Sequence, residues 1–82
     1  MNLELIGFIK DGTYRLKVLG ELSKRPLLSS ELADNLNINR ASMSRILTVM
    51  KEKGLIKSNS NSGRTVIYEI TKLGQELLEE IK

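Results

Sequence analysis

The chain has 82 residues, of which 40% are hydrophobic and 28% charged, a balance typical of one small folded domain and not of a disordered chain. It contains no Cys and no His, which excludes disulfides, thiolate or imidazole catalysis and nearly every zinc or iron site, so we expect no enzyme, no metal and no cofactor. No apolar run approaches the roughly 20 residues that span a bilayer, and the first residues lack the features of a signal peptide. We therefore expect a cytoplasmic protein without a membrane partner.

The net charge of +3 is distributed unevenly. Residues 1–39 have no net charge, and residues 67–82 have a net charge of −2. Residues 40–66 carry six basic side chains against Glu52 alone, a net charge of +5. The six are Arg40, Arg45, Lys51, Lys53, Lys57 and Arg64. One basic block in an otherwise neutral-to-acidic chain is typical of a surface that binds a polyanion.

The chain begins with a segment of undecided structure, followed by a helix. Residues 2–10 are too densely apolar to show a period, and both a short helix and an extended segment fit them. Asp11 or Thr13 is expected to cap the helix that follows. That helix should end just before Pro26, which cannot continue it.

The next segment predicts two helices joined by a tight turn. Ser29 is expected to open the first of them, and Asn37-Ile38 to form the turn. Asn39 is a good N-cap for the second, which is predicted to run from about Arg40 to Lys53. Gly54 then follows as a left-handed C-cap.

After this point the pattern changes to strands. Residues 55–57 and 65–70 are rich in β-branched residues, and the polar cluster 58–63 between them predicts a hairpin. Thr71 is expected to cap a last helix, residues 72–82. The predicted fold is mainly α with a small β-hairpin (α+β): a single winged helix-turn-helix domain with a three-helix core, a wing and a C-terminal helix.

These elements resemble a known group of regulators. The stretches from Leu28 to Leu47 and from Lys51 to Ile56 resemble the DNA-binding core of MarR- and ArsR-type transcriptional regulators. The segment from Tyr68 to Leu77 is similar to the exit from wing to helix in MarR- and PadR-like proteins. The resemblance implies a winged helix that binds double-stranded DNA, with its second helix in the major groove and its wing on the adjacent backbone or minor groove.

The residues themselves support the same function. With Met43 at the centre of the buried face, a 3.6-residue period places four residues on the opposite, polar face: Ala41, Arg45, Thr48 and Glu52. Arg40, Ser42 and Ser44 flank them. Small residues there permit close approach to a groove, and Arg45 is the best candidate for a guanine contact. The predicted DNA-binding residues are Ser30, Asn39, Arg40, Ala41, Ser42, Ser44, Arg45, Thr48, Asn61 and Arg64.

Several roles stay open at this point. Arg40 fits a phosphate contact and a solvated side chain equally well. Lys51 and Lys53 are favoured as charges that stabilise the helix end and not as DNA contacts. Asn61 and Arg64 are candidates through the resemblance, and a flexible polar turn is the alternative for them.

The two ends of the chain predict a homodimer. In the regulators that the chain resembles, terminal helices pair two protomers, which matches palindromic sites about one DNA turn apart. The expected interface residues are Leu3, Ile6, Phe8, Leu77, Leu78 and Ile81. The alternative is that both ends fold back on the core of a monomer.

The predicted function is that of a small transcriptional regulator that binds specific DNA sequences. A winged helix that binds another protein in a larger assembly is the alternative. A neutral or acidic second helix of the motif would favour that alternative, whereas the helix beginning at Arg40 is basic. The lack of Cys and His disfavours an ArsR-type metal sensor, and the lack of long dimerisation helices disfavours a MarR-type ligand pocket.

Overall fold

A computed structural model describes residues 2–60 and 65–81, and within these ranges the chain forms five helices and three strands. The helices are α1 (Leu3–Asp11), α2 (Arg15–Lys24), α3 (Ser29–Leu36), α4 (Arg40–Glu52) and α5 (Lys72–Ile81). The strands are β1 (Leu27–Leu28), β2 (Ile56–Ser60) and β3 (Val66–Ile70). No helix in the described part of the chain is both long enough and apolar enough to cross a membrane.

The segment whose structure the sequence left undecided is helical. The side chain of Asn2 caps α1 by accepting a hydrogen bond from the Leu5 amide at 3.1 Å. One side chain of this helix, Ile9, is fully buried, so α1 packs on the core along a narrow stripe. The sequence of α1 shows no clear apolar period because the helix also carries apolar residues outside the stripe that packs on the core, such as the exposed Leu3.

The predicted cap of α2 is wrong. Asp11 is the last residue of α1, and the N-cap of α2 is Tyr14, which makes no capping hydrogen bond with its side chain. Arg15 holds this corner instead. Its Nη1 donates to the Phe8 carbonyl at 2.6 Å, and its guanidinium carbon lies 3.9 Å from the centre of the Phe8 ring.

The helix-turn-helix has the predicted boundaries, with one difference in its capping. The N-cap of α3 is Leu28, whose amide donates to the Glu31 carboxylate at 2.9 Å, so Ser29 is the first helical residue and not the cap. The turn is tight because Asn37 adopts a left-handed conformation, with φ of 55°. Asn39 caps α4 as predicted, its side-chain oxygen accepting from the Ser42 amide at 2.7 Å.

The three strands form an antiparallel sheet in the order β1-β3-β2. The predicted hairpin of β2 and β3 is present, with register from Ile56 opposite Ile70 to Ser60 opposite Val66. Residues 58–60, which were predicted to belong to the turn, extend β2 because they pair with β3. The short strand β1 was not predicted. It pairs Leu27 with Tyr68 and joins the helix-turn-helix to the hairpin.

The junctions around the hairpin are held by two residues whose roles the sequence predicted. Gly54 has φ of 77° and ends α4 in the left-handed conformation. Thr71 caps α5, accepting from the Gly74 amide at 3.1 Å, while its hydroxyl donates to the Gly54 carbonyl at 2.7 Å. Thr71 therefore links the start of α5 to the end of α4.

A single core lies between the helices and one face of the sheet. It consists of Ile9, Val18, Leu19, Leu22, Leu27, Leu32, Ala33, Met43, Leu47, Met50, Leu55, Ile56, Leu77 and Leu78. Two expected dimer contacts, Leu77 and Leu78, are thus part of the protomer's own core, with 2% and 3% of their surface exposed. Burial this complete leaves almost none of either side chain for a partner. Of the other expected contacts, Leu3 is exposed, and Ile6, Phe8 and Ile81 are partly buried against the core.

Candidate nucleic-acid interface

Helix α4 presents a polar face to solvent. Its buried side is formed by Met43, Leu47 and Met50, at the spacing that the sequence predicted. The exposed residues on the opposite side include Arg40, Ala41, Ser44, Arg45 and Thr48. The exposed face of α4 thus combines short side chains with two cations. This arrangement lets a helix approach the base edges in a major groove.

The two arginines of α4 are available for binding. Both Arg40 and Arg45 are exposed, and within the described residues neither forms an ion pair. By contrast, Arg25, at the end of α2, lies 4.0 Å from the Glu31 carboxylate. The guanidinium groups of α4 can therefore meet a phosphate or a guanine without first breaking an ion pair.

The N-terminus of α4 adds polar groups beside these cations. Asn39 uses its side-chain oxygen to cap the helix, which fixes the amide and leaves its NH₂ group turned to other partners. Ser42, in the first turn, is half-buried, and Ser30, at the start of α3, is also half-buried. Of these three predicted contacts, Asn39 is exposed, and Ser30 and Ser42 are accessible in part.

Thr48 carries a feature that the sequence analysis did not predict. Its hydroxyl donates to the Ser44 carbonyl at 2.8 Å, a bond that Ser and Thr commonly make within helices. The proton is thereby committed, and the oxygen can only accept. In this arrangement Thr48 is suited to an amino group of adenine or cytosine, or through its methyl group to thymine.

The lysines at the end of α4 differ from each other. The Lys53 ammonium lies 5.4 Å from the centre of the Phe8 ring, on which Arg15 also stacks. This cation–π contact directs Lys53 toward α1. Lys51 is exposed and borders a recess next to the sheet.

The wing is described only at its base. Asn61 and Arg64, the predicted wing contacts, lie outside the described residues. On the strands, Lys57 pairs in register with Glu69, which also accepts a hydrogen bond from the Asn59 amide at 2.7 Å. The outer face of the hairpin thus carries a carboxylate that offsets the charge of Lys57.

Two recesses border the inner face of the hairpin, and Tyr68 lines both. One, of about 430 Å³, is lined by Leu47, Thr48, Lys51, Glu52 and Tyr68. The other, of about 360 Å³, is lined by Leu28, Ser29, Ser30, Thr65, Val66 and Tyr68. Tyr68 was predicted to lie on a strand but was not among the predicted site residues, because the pairing with β1 that positions it was not predicted. In the described part of the chain, no group of three or more acidic side chains is arranged to hold a metal ion.

Two helices joined by a tight turn, followed by an antiparallel hairpin and a closing helix, define a winged helix-turn-helix domain. The sequence model of the family described as the HVO_A0261 N-terminal domain matches residues 3–82. The chain belongs to this family.

Relatives of known function support the same class. The chain is 29% identical over 65 residues to the transcriptional regulator AdcR of Streptococcus pneumoniae serotype 2 (strain D39 / NCTC 7466). The match covers 77% of this chain and 44% of AdcR, so the chain spans less than half the length of this curated relative.

Solved structures confirm the predicted fold. The transcriptional regulator BldR from Sulfolobus solfataricus is 27% identical, with a TM-score of 0.74 over 79% of this chain and 48% of BldR. A C30S mutant of Lactococcus lactis ZitR in complex with DNA is 24% identical, with a TM-score of 0.76 over 83% of this chain and 48% of ZitR. ZitR is described as a zinc-responsive MarR family member, so the predicted likeness to MarR-type winged helices is confirmed for the fold. The likeness to ArsR- and PadR-type regulators stays a prediction.

Proposed function

We propose that this chain binds specific sequences in double-stranded DNA as a transcriptional regulator, with α4 in the major groove. The observation that carries the proposal is the exposed face of α4, where Arg40 and Arg45 flank small side chains and form no ion pair with the described residues. A ZitR mutant with the same fold has been solved in complex with DNA, which supports DNA binding. The wing, including Asn61 and Arg64, would contact the adjacent backbone or minor groove.

The residues of the face divide by the contacts that their chemistry permits. Arg45 lies in the middle of the face and is proposed to contact guanine O6 and N7. Arg40, Asn39 and Ser30 are nearer the helix starts and are proposed to contact phosphates, which position the helix without specifying sequence. Ala41, Ser42, Ser44 and Thr48 complete the proposed contact surface.

The test is a titration of purified protein with a duplex obtained by selection from a random pool, at several salt concentrations. Affinity should fall steeply with salt, because phosphate neutralisation releases counterions. Arg45→Ala should weaken binding to the selected duplex by about 1–3 kcal/mol, roughly 5- to 150-fold. Lys10→Ala removes the same charge from α1 and serves as the matched control, with little expected effect.

Two results would contradict this function. An affinity independent of salt would argue against phosphate contacts. If Arg45→Ala and Lys10→Ala change the DNA affinity equally, α4 is not part of the binding surface. Failure to retain any duplex, together with a defined protein partner that binds α4, would favour the protein-interaction alternative.

The same proposal includes the protein's other expected properties. It acts as a binding protein and not as an enzyme, and the cytoplasm is where a protein of this kind meets DNA. We also propose a homodimer that pairs through α1, since Leu3 is 73% exposed, more than Val49 at 37% and Val66 at 38%, the other exposed large apolar residues among those described. Ile6, Phe8 and Ile81 would lie at the edge of this interface.

A further inference from the structure

Tyr68 is placed between the two halves of the proposed DNA-binding surface. It belongs to the central strand β3, opposite Leu27 of β1 and Ser58 of β2. Paired residues project from the same face of a sheet, and the buried Leu27 shows that this is the inner face. Tyr68 therefore lies on the side of the hairpin that faces the helices.

The side chain lines both recesses on that face. One recess extends toward the C-terminal half of α4, at Thr48 and Lys51, and the other toward the start of α3, at Ser29 and Ser30. Tyr68 thus lies at the border of both recesses. Together the two recesses are called the groove.

The groove offers donors for an anion. Tyr68 is partly exposed, and its hydroxyl makes no hydrogen bond to another described residue. Lys51 is exposed and forms no ion pair within the described part of the chain. Glu52 also borders the groove and disfavours an anion, but it lies beyond Lys51 at the end of α4. Thr48 cannot donate, because its proton is bonded to the Ser44 carbonyl.

The geometry of a DNA duplex indicates what this groove would bind. A sugar–phosphate strand separates each major groove from the adjacent minor groove. If α4 lies in the major groove and the hairpin reaches the next minor groove, that strand must pass between them, over Tyr68.

We propose that Tyr68 and Lys51 bind this intervening strand, an inference that rests on the proposed function. The Tyr68 hydroxyl donates to a phosphate oxygen while the ring lies against a deoxyribose, and Lys51 pairs with a phosphate of the same strand. Lys51 is thereby assigned to DNA and not to the helix end alone. These contacts position the duplex between α4 and the hairpin and carry no sequence preference of their own.

The test compares Tyr68→Phe with the wild-type protein on the selected duplex and on an unrelated one. The substitution removes one hydroxyl and keeps the ring, so the thermal unfolding midpoint should not change. Affinity should fall about tenfold on both duplexes, as expected for a hydrogen bond to a charged group. Tyr14→Phe, at the corner between α1 and α2, is the matched control and should bind normally. Lys51→Met should reduce the slope of log affinity against log salt by about 1.

Neutral methylphosphonates, placed one at a time along the duplex, identify the phosphate. At the position that Tyr68 contacts, wild-type and Tyr68→Phe proteins should bind equally well. An undiminished affinity of Tyr68→Phe would overturn this inference, and if Arg45→Ala still weakens binding, the proposed function survives. A wild-type protein that binds no duplex would overturn both.

Discussion

Arg45 and Thr48 lie one helical turn apart on α4 and have opposite hydrogen-bonding capacities. The guanidinium of Arg45 can only donate, and the hydroxyl oxygen of Thr48, with its proton on the Ser44 carbonyl, can only accept. A donor and an acceptor at fixed spacing can distinguish base pairs, because guanine offers acceptors in the major groove while adenine and cytosine offer amino groups. The face of α4 is thus suited to specific reading as well as to charge attraction.

Asn39 combines a structural and a proposed binding role, and two substitutions separate them. Asn39→Ala removes the cap on the Ser42 amide and should lower the free energy of unfolding by about 1 kcal/mol. Asn39→Asp keeps an equally good cap, with its charge at the positive end of the helix, so stability should be retained. Urea unfolding followed by circular dichroism measures both.

DNA affinity should rank these two variants differently. The carboxylate of Asn39→Asp would face a phosphate, so this variant should bind the selected duplex more weakly than Asn39→Ala despite its greater stability. If Asn39→Asp binds as well as the wild-type protein, Asn39 does not lie near the DNA backbone.

Three of the capping residues were predictable from the sequence, whereas the caps of α2 and α3 and the contacts between distant residues were not. Asn39, Gly54 and Thr71 each lie at the end of a helix. Residue type and spacing along the chain were therefore sufficient to predict their capping roles. The stacking of Arg15 and Lys53 on Phe8 joins α1 to the end of α4, and no local pattern indicates it. The same holds for Tyr68, whose surroundings come from three different elements.

At the scale of elements, the junction of α4, the hairpin and α5 depends on close backbone approach. An added Cβ at Gly74 would collide with the Leu55 carbonyl oxygen and would lie 2.9 Å from Ile70 Cγ1. Thr71 already bonds across the same junction, so the backbone there has little freedom to move. The first turn of α5 therefore fixes the position of the hairpin's base relative to α4.

Two glycine substitutions test this junction. Gly74→Ala should lower the free energy of unfolding by about 2 kcal/mol or more, because the colliding atom is backbone and cannot rotate away. Gly20→Ala, in α2, meets no atom within 4 Å and should stabilise the domain by about 0.5–1 kcal/mol through helix propensity. Thermal or urea unfolding checks both, and a stable Gly74→Ala variant would show that α5 does not pack against Leu55 as described.

Strand β1 shows why one element was missed. It has two residues, both leucine, and follows Pro26, so neither length nor β-branched composition marks it. Its strand character comes from pairing with β3, where Leu27 lies opposite Tyr68. The hairpin strands carry β-branched residues on either side of a polar cluster. Strand β3 was predicted within one residue, whereas β2 continues three residues beyond its predicted end.

At the scale of the whole molecule, the surface charge and the apolar surface are separated. The exposed arginines without an ion pair to a described residue lie on α4, and Leu3, the most exposed of the described large apolar side chains, lies on α1. Because Leu77 and Leu78 are part of the core, the homodimer that we propose would pair through α1 without them. Such pairing would leave the α4 face of each protomer exposed.

The molar mass in solution tests this arrangement. The wild-type protein should have the mass of two chains at micromolar concentration, and Leu3→Ser should shift it toward that of one. Val66→Ser, which removes an exposed apolar side chain from the hairpin, is the control and should leave the mass unchanged. If the wild-type protein is a monomer, both ends of the chain pack only on the core of their own protomer.

The most direct test of the central claim is the map of amide chemical-shift changes when the selected duplex is added to isotope-labelled protein. If α4 enters the major groove, the largest changes should fall on residues 39–48, with further changes at Tyr68 and along the hairpin. The exposed residues of α1 and α5 should change little. Largest changes on α1 or α5, with residues 39–48 unaffected, would contradict the assignment of α4 as the DNA-reading helix.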